Sequence, residues 1–445
     1  MEEKYYNLLR HSLDTAKQAG AQKVRATLTI SEEDLVATLN GEPDRITHCA
    51  DNSISLALFA DGRFGSFSTN KLDRDSLDRF IRESVEIVKM ISPDECRDLP
   101  DRDRICTSAV TGDELGLCDE ARGTITPEDR LDTAVGASVY GTVFPEGTPF
   151  RIISEEGEYS DSIYETLVMD SEGLCCAHRE TCFDYGVEIT VEADGEKYSG
   201  YWWDSSSFRK ELDARGCGTR ALEKAVSQIG SEAVASGKYN MVIDSEVSSK
   251  LVSPLLRALG GFAIQQNNSF LMDSLGKQVF PESLTIMDLP HIKGQTCSKL
   301  FDSEGVATRE HAIIEKGMVK EYFINTYISR KTGMAATNED ATRPALLPTH
   351  PGCGREELMR LCSEGILVTD FNGGNSSGVT GDFSYGVEGF LFRKGAIVKP
   401  VSGMLITGNF LTLWQNLLAS GDDARPCMSK LIPTLAFGNV DFSGN

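Results

Sequence analysis

The feature that most constrains the fold of this sequence is the way its apolar residues alternate over short stretches that glycine interrupts. Such alternation is typical of β-strands, because successive strand side chains point to opposite faces of a sheet. From residue 151 onward, four runs of this kind follow one another, with glycines at Gly173, Gly186 and Gly195 between or beside them: RIISEE, YETLVMD, VEITVEAD and KYSGYWW. The pattern predicts a mostly antiparallel sheet in the first half of the chain.

Helical spacing of apolar residues occurs in only a few segments. In the first of them, Leu8, Leu9 and Leu13 recur at intervals that place them on one face of a helix. In the second half, many short strands with few long helices predict a barrel or curved sheet with attached helices. The predicted helices cover residues 5–18, 72–90, 219–235, 247–259 and 410–419.

A tight β-hairpin is predicted near the start of the chain. Residues 53–59 and 64–68 alternate between apolar and polar side chains, and Asp61-Gly62 lies between them. An Asp-Gly pair between two alternating runs is the strongest short-range hairpin signal. We therefore expect two neighbouring strands here, followed by the helix at 72–90.

The length of the chain predicts more than one domain. Single cores stop growing at roughly 250–300 residues, and this sequence has 445, of which 40% are hydrophobic and 25% charged, as in ordinary globular proteins. After the helix at 219–235, Gly237 and an apolar run at 239–243 begin a new region. We predict an α+β protein with an N-terminal α/β domain at 1–236, built on a mixed, mostly antiparallel sheet. A β-rich, barrel-like C-terminal domain with attached helices follows at 237–445.

The charge of the chain excludes several classes of partner. With 44 basic and 67 acidic residues, its formal net charge of -23 repels nucleic acid and anionic lipid surfaces. The first residues are charged rather than apolar, and no run of 18 apolar residues occurs. The twelve cysteines show no disulfide framework. We expect neither a nucleic-acid nor a membrane partner, and a cytoplasmic location.

No local metal-binding motif is present. A helical zinc peptidase motif places two imidazoles on one helix face beside a Glu that activates water. Here no two histidines lie three to five residues apart, and Glu310-His311 continues into an alternating run that predicts a strand with a solvent-facing histidine. We therefore predict that this chain provides no catalytic and no metal-binding residue. The histidines are His11, His48, His178, His291, His311 and His350.

Two other clusters invite a functional interpretation. Cys175, Cys176 and His178, with Cys182 nearby, form the densest group of soft metal ligands. Adjacent cysteines on a strand face opposite sides, which favours structural thiols. The glycine-rich loop at 373–378 could bind an anion through its backbone amides, although such loops more often provide a tight reversal.

The C-terminal third carries four motifs that resemble those of a known family. In order and spacing they resemble the FDxEG, TGDFS, GF(L/I) and GN(L/F) motifs of the TldD/PmbA family. This resemblance implies an α/β domain followed by a β-rich barrel-like domain, and dimers that enclose a cavity. The segments are FDSEGVAT at 301–308, VTGDFSYG at 379–386, GFL at 389–391 and ITGNF at 406–410.

One departure from the family decides which branch the chain resembles. In the TldD branch, a metal-binding HExxxH motif lies on a helix early in the C-terminal domain. That helix corresponds here to residues 247–259, whose sequence VSSKLVSPLLRAL contains neither His nor Glu. This is similar to the PmbA branch, also called TldE, which pairs with TldD as a cytosolic peptidase that acts on unfolded peptides. The resemblance implies that zinc is held by a TldD-like partner and not by this chain.

The same resemblance suggests where peptide is bound and leaves other segments unexplained. The candidate peptide contacts lie in the TGDFS and GN motifs, although positive-φ turns explain these residues equally well. Cys427 lies near the position of a cysteine that binds zinc in the TldD branch, and AATNEDATRP at 335–344 departs from the usual family sequence. The candidate contacts are Gly381, Asp382, Phe383, Ser384, Gly408 and Asn409.

Three functions follow from these expectations. The first is the non-catalytic subunit of a cytosolic zinc peptidase, paired with a TldD-like subunit. The second is a peptide-binding adaptor that forms a homodimer and has no peptidase partner. The third is a metallopeptidase with an unrecognised metal site built from His291, His311 or Cys427.

Overall fold

The computed structural model describes residues 1–444 and confirms the predicted α+β class, with 39% of residues in strands and 22% in helices. The chain forms two compact units. The first contains residues 1–225 together with 291–308 and 325–338, and the second contains the intervening segments and the C-terminal region. Each unit therefore draws on more than one stretch of sequence.

The first unit is built on a six-stranded sheet in the order β3-β2-β1-β4-β5-β6, with antiparallel pairing throughout. The predicted hairpin is confirmed, with Asp61 and Gly62 at φ 52° and 69° between β2 and β3. Gly186 does not break a strand as predicted, because it pairs with Glu158 and Trp203 inside β5. The strands are β1 Lys23–Leu39, β2 Glu42–Ala60, β3 Arg63–Thr69, β4 Arg151–Asp170, β5 Cys175–Ala193 and β6 Glu196–Ser206.

Two helices cover one face of this sheet. Leu9 of α1 and Ile81 of α2 are fully buried in a core that includes Leu28 of β1 and Leu56 of β2. The prediction of a helix at 219–235 was wrong at both ends, since the observed α4 starts earlier and stops at Ser227. The helices are α1 Glu3–Gln18, α2 Arg74–Val88, α3 Pro127–Gly136, α7 Thr326–Thr332 and α4 Ala214–Ser227, of which all but the last two residues belong to this unit.

The region around residues 95–150, which no motif explained, is held to the sheet by buried ion pairs. Arg130 of α3 makes a bidentate contact with Asp161 of β4, with N–O distances of 2.6 and 2.9 Å. Arg122 lies 3.1 Å from the same carboxylate and 3.3 Å from Asp34. Because bidentate Arg–carboxylate pairs fix geometry as well as charge, this network orders a segment of low regular structure.

The second unit contains the predicted barrel, a closed five-stranded mixed barrel in which β14 pairs with β16 to complete the ring β7-β12-β13-β14-β16. Only β7 and β12 run parallel. The late helix predicted at 410–419 was wrong beyond Gln415, because residues 417–420 form a strand. The strands are β7 Gly237–Ile243, β12 Glu364–Ser376, β13 Asp382–Arg393, β14 Ala396–Asn409, β15 Leu417–Ser420 and β16 Leu435–Gly444.

A second, four-stranded sheet and several helices complete this unit. The sheet has the order β10-β9-β8-β11. No helix within residues 1–444 is long and apolar enough to cross a membrane. The remaining elements are α5 Ser249–Ala258, α6 Gly261–Gln265, β8 Ile286–Asp288, β9 His311–Glu315, β10 Met318–Val319, β11 Pro344–Leu346, α8 Arg355–Cys362 and α9 Phe410–Gln415.

Candidate functional site

A cavity of about 960 Å³ lies within the second unit. Its walls come from four places in the sequence: α5 with Val247 two residues before it, the last part of β12, the segment 340–344, and residues 429–430. Tyr385 of β13 completes the lining. The remaining lining residues are Val247, Ser249, Lys250, Ser253, Leu256, Arg257, Asp340, Ala341, Thr342, Pro344, Phe371, Gly374, Asn375, Ser376, Ser429 and Lys430.

The helix α5 confirms the predicted helix and presents two different faces. Leu251 and Leu255 are fully buried on one side. Lys250, Ser253 and Arg257 face the cavity, at the i, i+3 and i+7 spacing that places side chains on one helix face. The apolar face therefore anchors the helix, and the polar face is left to the cavity.

Three cations line this cavity. Lys250 and Arg257 are exposed to solvent, and Lys430 is partly buried. Within residues 1–444 none of the three forms an ion pair with a carboxylate. Asp340 is the only acidic side chain in the lining. The cavity is therefore locally cationic in a chain whose formal net charge is -23.

Aromatic rings form a second part of the lining. Phe371 and Tyr385 pack edge to face with their ring centroids 5.6 Å apart. The Nζ atom of Lys250 lies 5.1 Å from the centroid of the Tyr385 ring, which is within the range of a cation–π contact. The site thus combines apolar surface with positive charge, as small-molecule and peptide pockets commonly do.

The end of β12 also departs from regular strand geometry where it lines the cavity. The pairing register with β13 shifts between Phe371 and Gly374. Gly374 has φ +104°, and a Cβ atom there would lie 2.1 Å from the carbonyl oxygen of Ser384, so only glycine fits. The glycine-rich segment predicted as a loop is therefore a bulged strand as far as Ser376, and Gly374, Asn375 and Ser376 line the cavity.

One edge of β12 has no strand beside it near the cavity. Its parallel pairing with β7 ends at Val368, opposite Ile243. Beyond that point, within the described residues 1–444, β12 is paired only with β13. Residues 370 and 372–375 are exposed to solvent. Backbone groups on an unpaired edge are available for another extended segment.

The structure places the predicted peptide contacts together but outside this cavity lining. Asp382 pairs with Asn409 and Phe383 with Gly408 across β13 and β14. We call this set, together with Thr380, the clasp: Thr380, Gly381, Asp382, Phe383, Ser384, Gly408 and Asn409. Ser384 is exposed and Phe383 is buried, so neighbouring members of the clasp point to opposite faces.

The polar groups of the clasp bond mainly to one another. Asn409 donates from Nδ2 to the carbonyl of Thr380 at 2.8 Å and to Asp382 Oδ1 at 2.9 Å. Thr380 Oγ1 donates to Asp382 Oδ2 at 2.7 Å. These bonds from Asn409 and Thr380 lower the pKa of Asp382 below its ordinary value. Asn409 also accepts the amide of Leu411 at 3.0 Å and so caps α9.

Steric requirements explain the glycines of the clasp. Gly381 has φ +80°, the left-handed turn that the alternative explanation of these motifs required, and a Cβ there would lie 3.1 Å from Phe270 Cγ. A Cβ at Gly408 would lie 3.2 Å from Cζ of Phe383. The peptide contact predicted for these residues stays a prediction, whereas the positive φ of Gly381 gives that glycine a structural role.

The buried histidine of β9 corrects one prediction. His311 does not face solvent, because its side chain is only 8% exposed and Nε2 lies 3.1 Å from Glu321 Oε1. Burial opposes the charged ring, but the Glu321 carboxylate outweighs it and raises the pKa of His311 above 6.5. In the first unit, His291 contacts the Thr308 hydroxyl at 3.0 Å.

Within residues 1–444, one group of three potential metal ligands lies close together. Glu32, Asp34 and His48 lie within reach of a single ion. The Arg122 and Arg130 guanidinium groups already pair with these carboxylates, at 3.0 Å from Glu32 and 2.8 Å from Asp34. The group is therefore part of the ion-pair network that holds α3 and its neighbours.

The cysteines behave as the strand pattern predicts. Cys175 is exposed and its neighbour Cys176 is buried, so their thiols face opposite sides of β5. Cys427 lies in the segment that leads to Ser429 and Lys430, and it is partly buried. None of the cysteines in the described residues belongs to a group of three potential ligands within reach of one ion.

Solved structures share this fold over the whole chain. A protein described as a modulator of DNA gyrase from Bacteroides thetaiotaomicron VPI-5482 superposes with a TM-score of 0.94 and 36% identity, covering 100% of both chains. TldE from Thermococcus kodakarensis superposes with a TM-score of 0.83 over 98% of this chain and 100% of its own. At 18% identity the second comparison shows the fold alone.

Sequence comparisons identify the family. Models of the PmbA/TldA metallopeptidase central and C-terminal domains match residues 125–229 and 236–444. Metalloprotease PmbA of Escherichia coli O157:H7 is 27% identical over 431 residues, which are 95% of this chain and 93% of that protein. The fold and the matched domains define a metallopeptidase-related α+β protein. The chain belongs to the PmbA/TldD family.

Proposed function

We propose that this chain is the non-catalytic, peptide-holding subunit of a cytosolic zinc peptidase, paired with a relative that carries the HExxxH motif. The observation that carries the proposal is the cavity face of α5. This helix lies early in the C-terminal region, where the TldD branch has its metal ligands, and here it presents Ser249, Lys250, Ser253 and Arg257. Hydroxyl, ammonium and guanidinium groups do not replace the imidazole ligands of a zinc site.

The geometry around α5 supports binding of extended peptide. The unpaired edge of β12 between residues 369 and 376 borders the same cavity. A peptide that adds a strand to such an edge gains main-chain hydrogen bonds, and its alternate side chains enter the neighbouring pocket. Folded proteins have few free strands of this kind, so the site favours unfolded or extended substrate.

In this proposal the partner subunit performs the catalysis. The ligands of that partner would hold the zinc, which would supply the activated water for peptide hydrolysis. The residues of this chain hold the peptide extended, orient it through the β12 edge and exclude water around it. A dimer that encloses the substrate requires an interface above roughly 1,000 Å², with an apolar centre despite the acidic surface.

Co-expression with an HExxxH relative from the same genome tests the proposal. We expect the two chains to co-purify, zinc to be stoichiometric with the partner, and cleavage of unfolded peptides such as casein fragments to require both chains. The purified chain alone should hold no stoichiometric zinc and show no cleavage. A matched control replaces the HExxxH glutamate of the partner with Gln, which should abolish cleavage and leave pairing intact.

Two results would contradict the proposal in different ways. Stoichiometric zinc in this chain alone, lost together with its own peptidase activity on treatment with a chelator, would make it a metallopeptidase. Peptide binding by a stable homodimer, with no association with any HExxxH relative, would make it an adaptor. Light scattering separates the homodimer from the heterodimer by mass.

A further inference from the structure

We infer that the cavity beside α5 recognises a peptide carboxylate through Lys250, Arg257 and Lys430. This inference deepens the proposed function, because it names the chemical group that orients the peptide. It depends on the cavity binding peptide, but it does not depend on a zinc partner.

The first observation that supports this inference is the charge of the cavity lining. Lys250, Arg257 and Lys430 come from α5 and from a segment more than 170 residues later, yet they line one cavity. Cations on a protein surface usually have acidic neighbours in a chain as acidic as this one, with 67 acidic and 44 basic residues. Here no carboxylate of residues 1–444 forms an ion pair with any of the three, and Asp340 is the single acid in the lining. The cavity therefore has unneutralised positive charge for an anion to satisfy.

The second supporting observation is the aromatic surface beside Lys250. Lys250 Nζ lies over the Tyr385 ring at 5.1 Å from its centroid, and Phe371 packs against the same ring. A carboxylate bound to Lys250 would thus have apolar surface next to it for the side chain or backbone that bears it. Inorganic anions have no such apolar part, whereas a peptide end has both.

The third supporting observation is the unpaired edge of β12, because it limits how the peptide approaches the cavity. Gly374, Asn375 and Ser376 line the cavity at the end of the unpaired edge. A peptide added to this edge reaches the cavity where the strand ends. The carboxylate that meets the three cations is then either the peptide's own C-terminal group or an acidic side chain close to it.

Peptide binding to the purified full-length chain tests the inference. Three labelled peptides of one neutral sequence are compared by fluorescence anisotropy: one with a free C-terminal carboxylate, one amidated, and one amidated with a Glu beside its end. We expect the free carboxylate to bind at least about tenfold more tightly than the amide, as charge-assisted hydrogen bonds would provide. Recovery of affinity by the Glu peptide would assign the site to any terminal-region carboxylate, and no recovery would assign it to the C-terminus.

Variants separate the cavity from general charge effects. The triple variant Lys250→Met, Arg257→Met and Lys430→Met should abolish the difference between free and amidated peptides. Lys277→Met is the matched control, because Lys277 is exposed in the same unit and lies outside the cavity lining. It should leave all affinities unchanged.

Equal affinities for the three peptides, or an unchanged preference in the triple variant, would overturn the inference. Neither outcome bears on co-purification with the zinc partner, so failure here is distinguishable from failure of the proposed function. Conversely, carboxylate preference in the purified chain, together with no association with any HExxxH relative on co-expression, would uphold this inference and contradict the proposed function.

Discussion

The clasp and the α5 cavity lie in the same unit but differ in how their polar groups are used. In the clasp, Asn409, Thr380 and Asp382 bond to one another at 2.7–2.9 Å, and little hydrogen-bonding capacity is left for a ligand. In the cavity, Lys250 and Arg257 have no carboxylate partner within residues 1–444. The family motif therefore marks geometry that the fold requires, while the cations that could meet a ligand lie in segments that carry no motif.

Removal of the aromatic ring from the clasp should produce the largest loss of stability. Phe383 is buried, with its ring centroid 4.8 Å from that of Phe410 and 5.5 Å from that of Tyr385. Phe383→Ala should lower the free energy of unfolding by about 3–5 kcal/mol, the range for large-to-small core substitutions. Denaturant unfolding measures the loss. Phe371→Ala, at the partly exposed cavity wall, is the control and should cost clearly less.

A smaller loss is expected from Gly381→Val. Valine would have to adopt φ +80° at this position, and its Cβ atom would lie 3.1 Å from Phe270 Cγ. We expect a loss of about 1–3 kcal/mol, because β-branched residues are strained at positive φ. Gly378→Val is the matched control, since the nearest atom to its Cβ position is 3.8 Å away and its φ is not positive. An unchanged melting temperature with lost peptide binding would show that the clasp is a binding site instead.

The pair formed by His311 and Glu321 should make the stability of the fold depend on pH. Since the folded pKa of His311 is raised above 6.5, its pairing with Glu321 stabilises the fold fully below that value. The contribution is lost as pH rises through the folded pKa. The melting temperature of the wild type should therefore decrease from about pH 6 to about pH 8.5 relative to His311→Gln, by less than the clasp substitutions cost. Parallel curves for the two proteins would contradict this role.

The smallest effect on stability is expected in the cavity itself. Lys250, Arg257 and Lys430 form no ion pair in the described chain, so their triple replacement by Met should change the free energy of unfolding by no more than about 0.5 kcal/mol per site. Affinity for a free-carboxylate peptide should fall as salt rises from about 0.05 to about 0.5 M, because screening weakens exposed charges. The triple variant should have lost this salt dependence.

Sequence patterns predicted the fold well where the signal lay within one segment, as turn residues or as a regular spacing of apolar residues. The hairpin at Asp61-Gly62 and the helix α5 were predicted from turn chemistry and apolar spacing, and both are present. Gly186 was misassigned as a break because a glycine inside a long strand carries the same local signal as one in a turn. The C-terminal helix was drawn too long because the apolar run in β15 continues its pattern.

The cavity was not predicted from the sequence. Lys250, Ser253 and Arg257 share one face of the predicted helix at 247–259, but a polar helix face usually means a solvated surface. The approach of Lys430 to the same cavity depends on long-range folding, which local spacing does not encode. The pairing of His311 with Glu321 also escaped prediction, because Glu321 lies outside the strand that carries the histidine.

The roles of the cavity and the clasp are separated most directly by measuring the affinity of one free-carboxylate peptide and the melting temperature for three proteins: the wild type, the cavity triple variant and Asn409→Ala. We expect the cavity variant to lose at least about tenfold in affinity with little change in melting temperature. Asn409→Ala should lower the melting temperature, because it breaks the clasp bonds and the α9 cap, and keep the affinity. The reverse pattern, with affinity lost in Asn409→Ala and kept in the cavity variant, would contradict these roles.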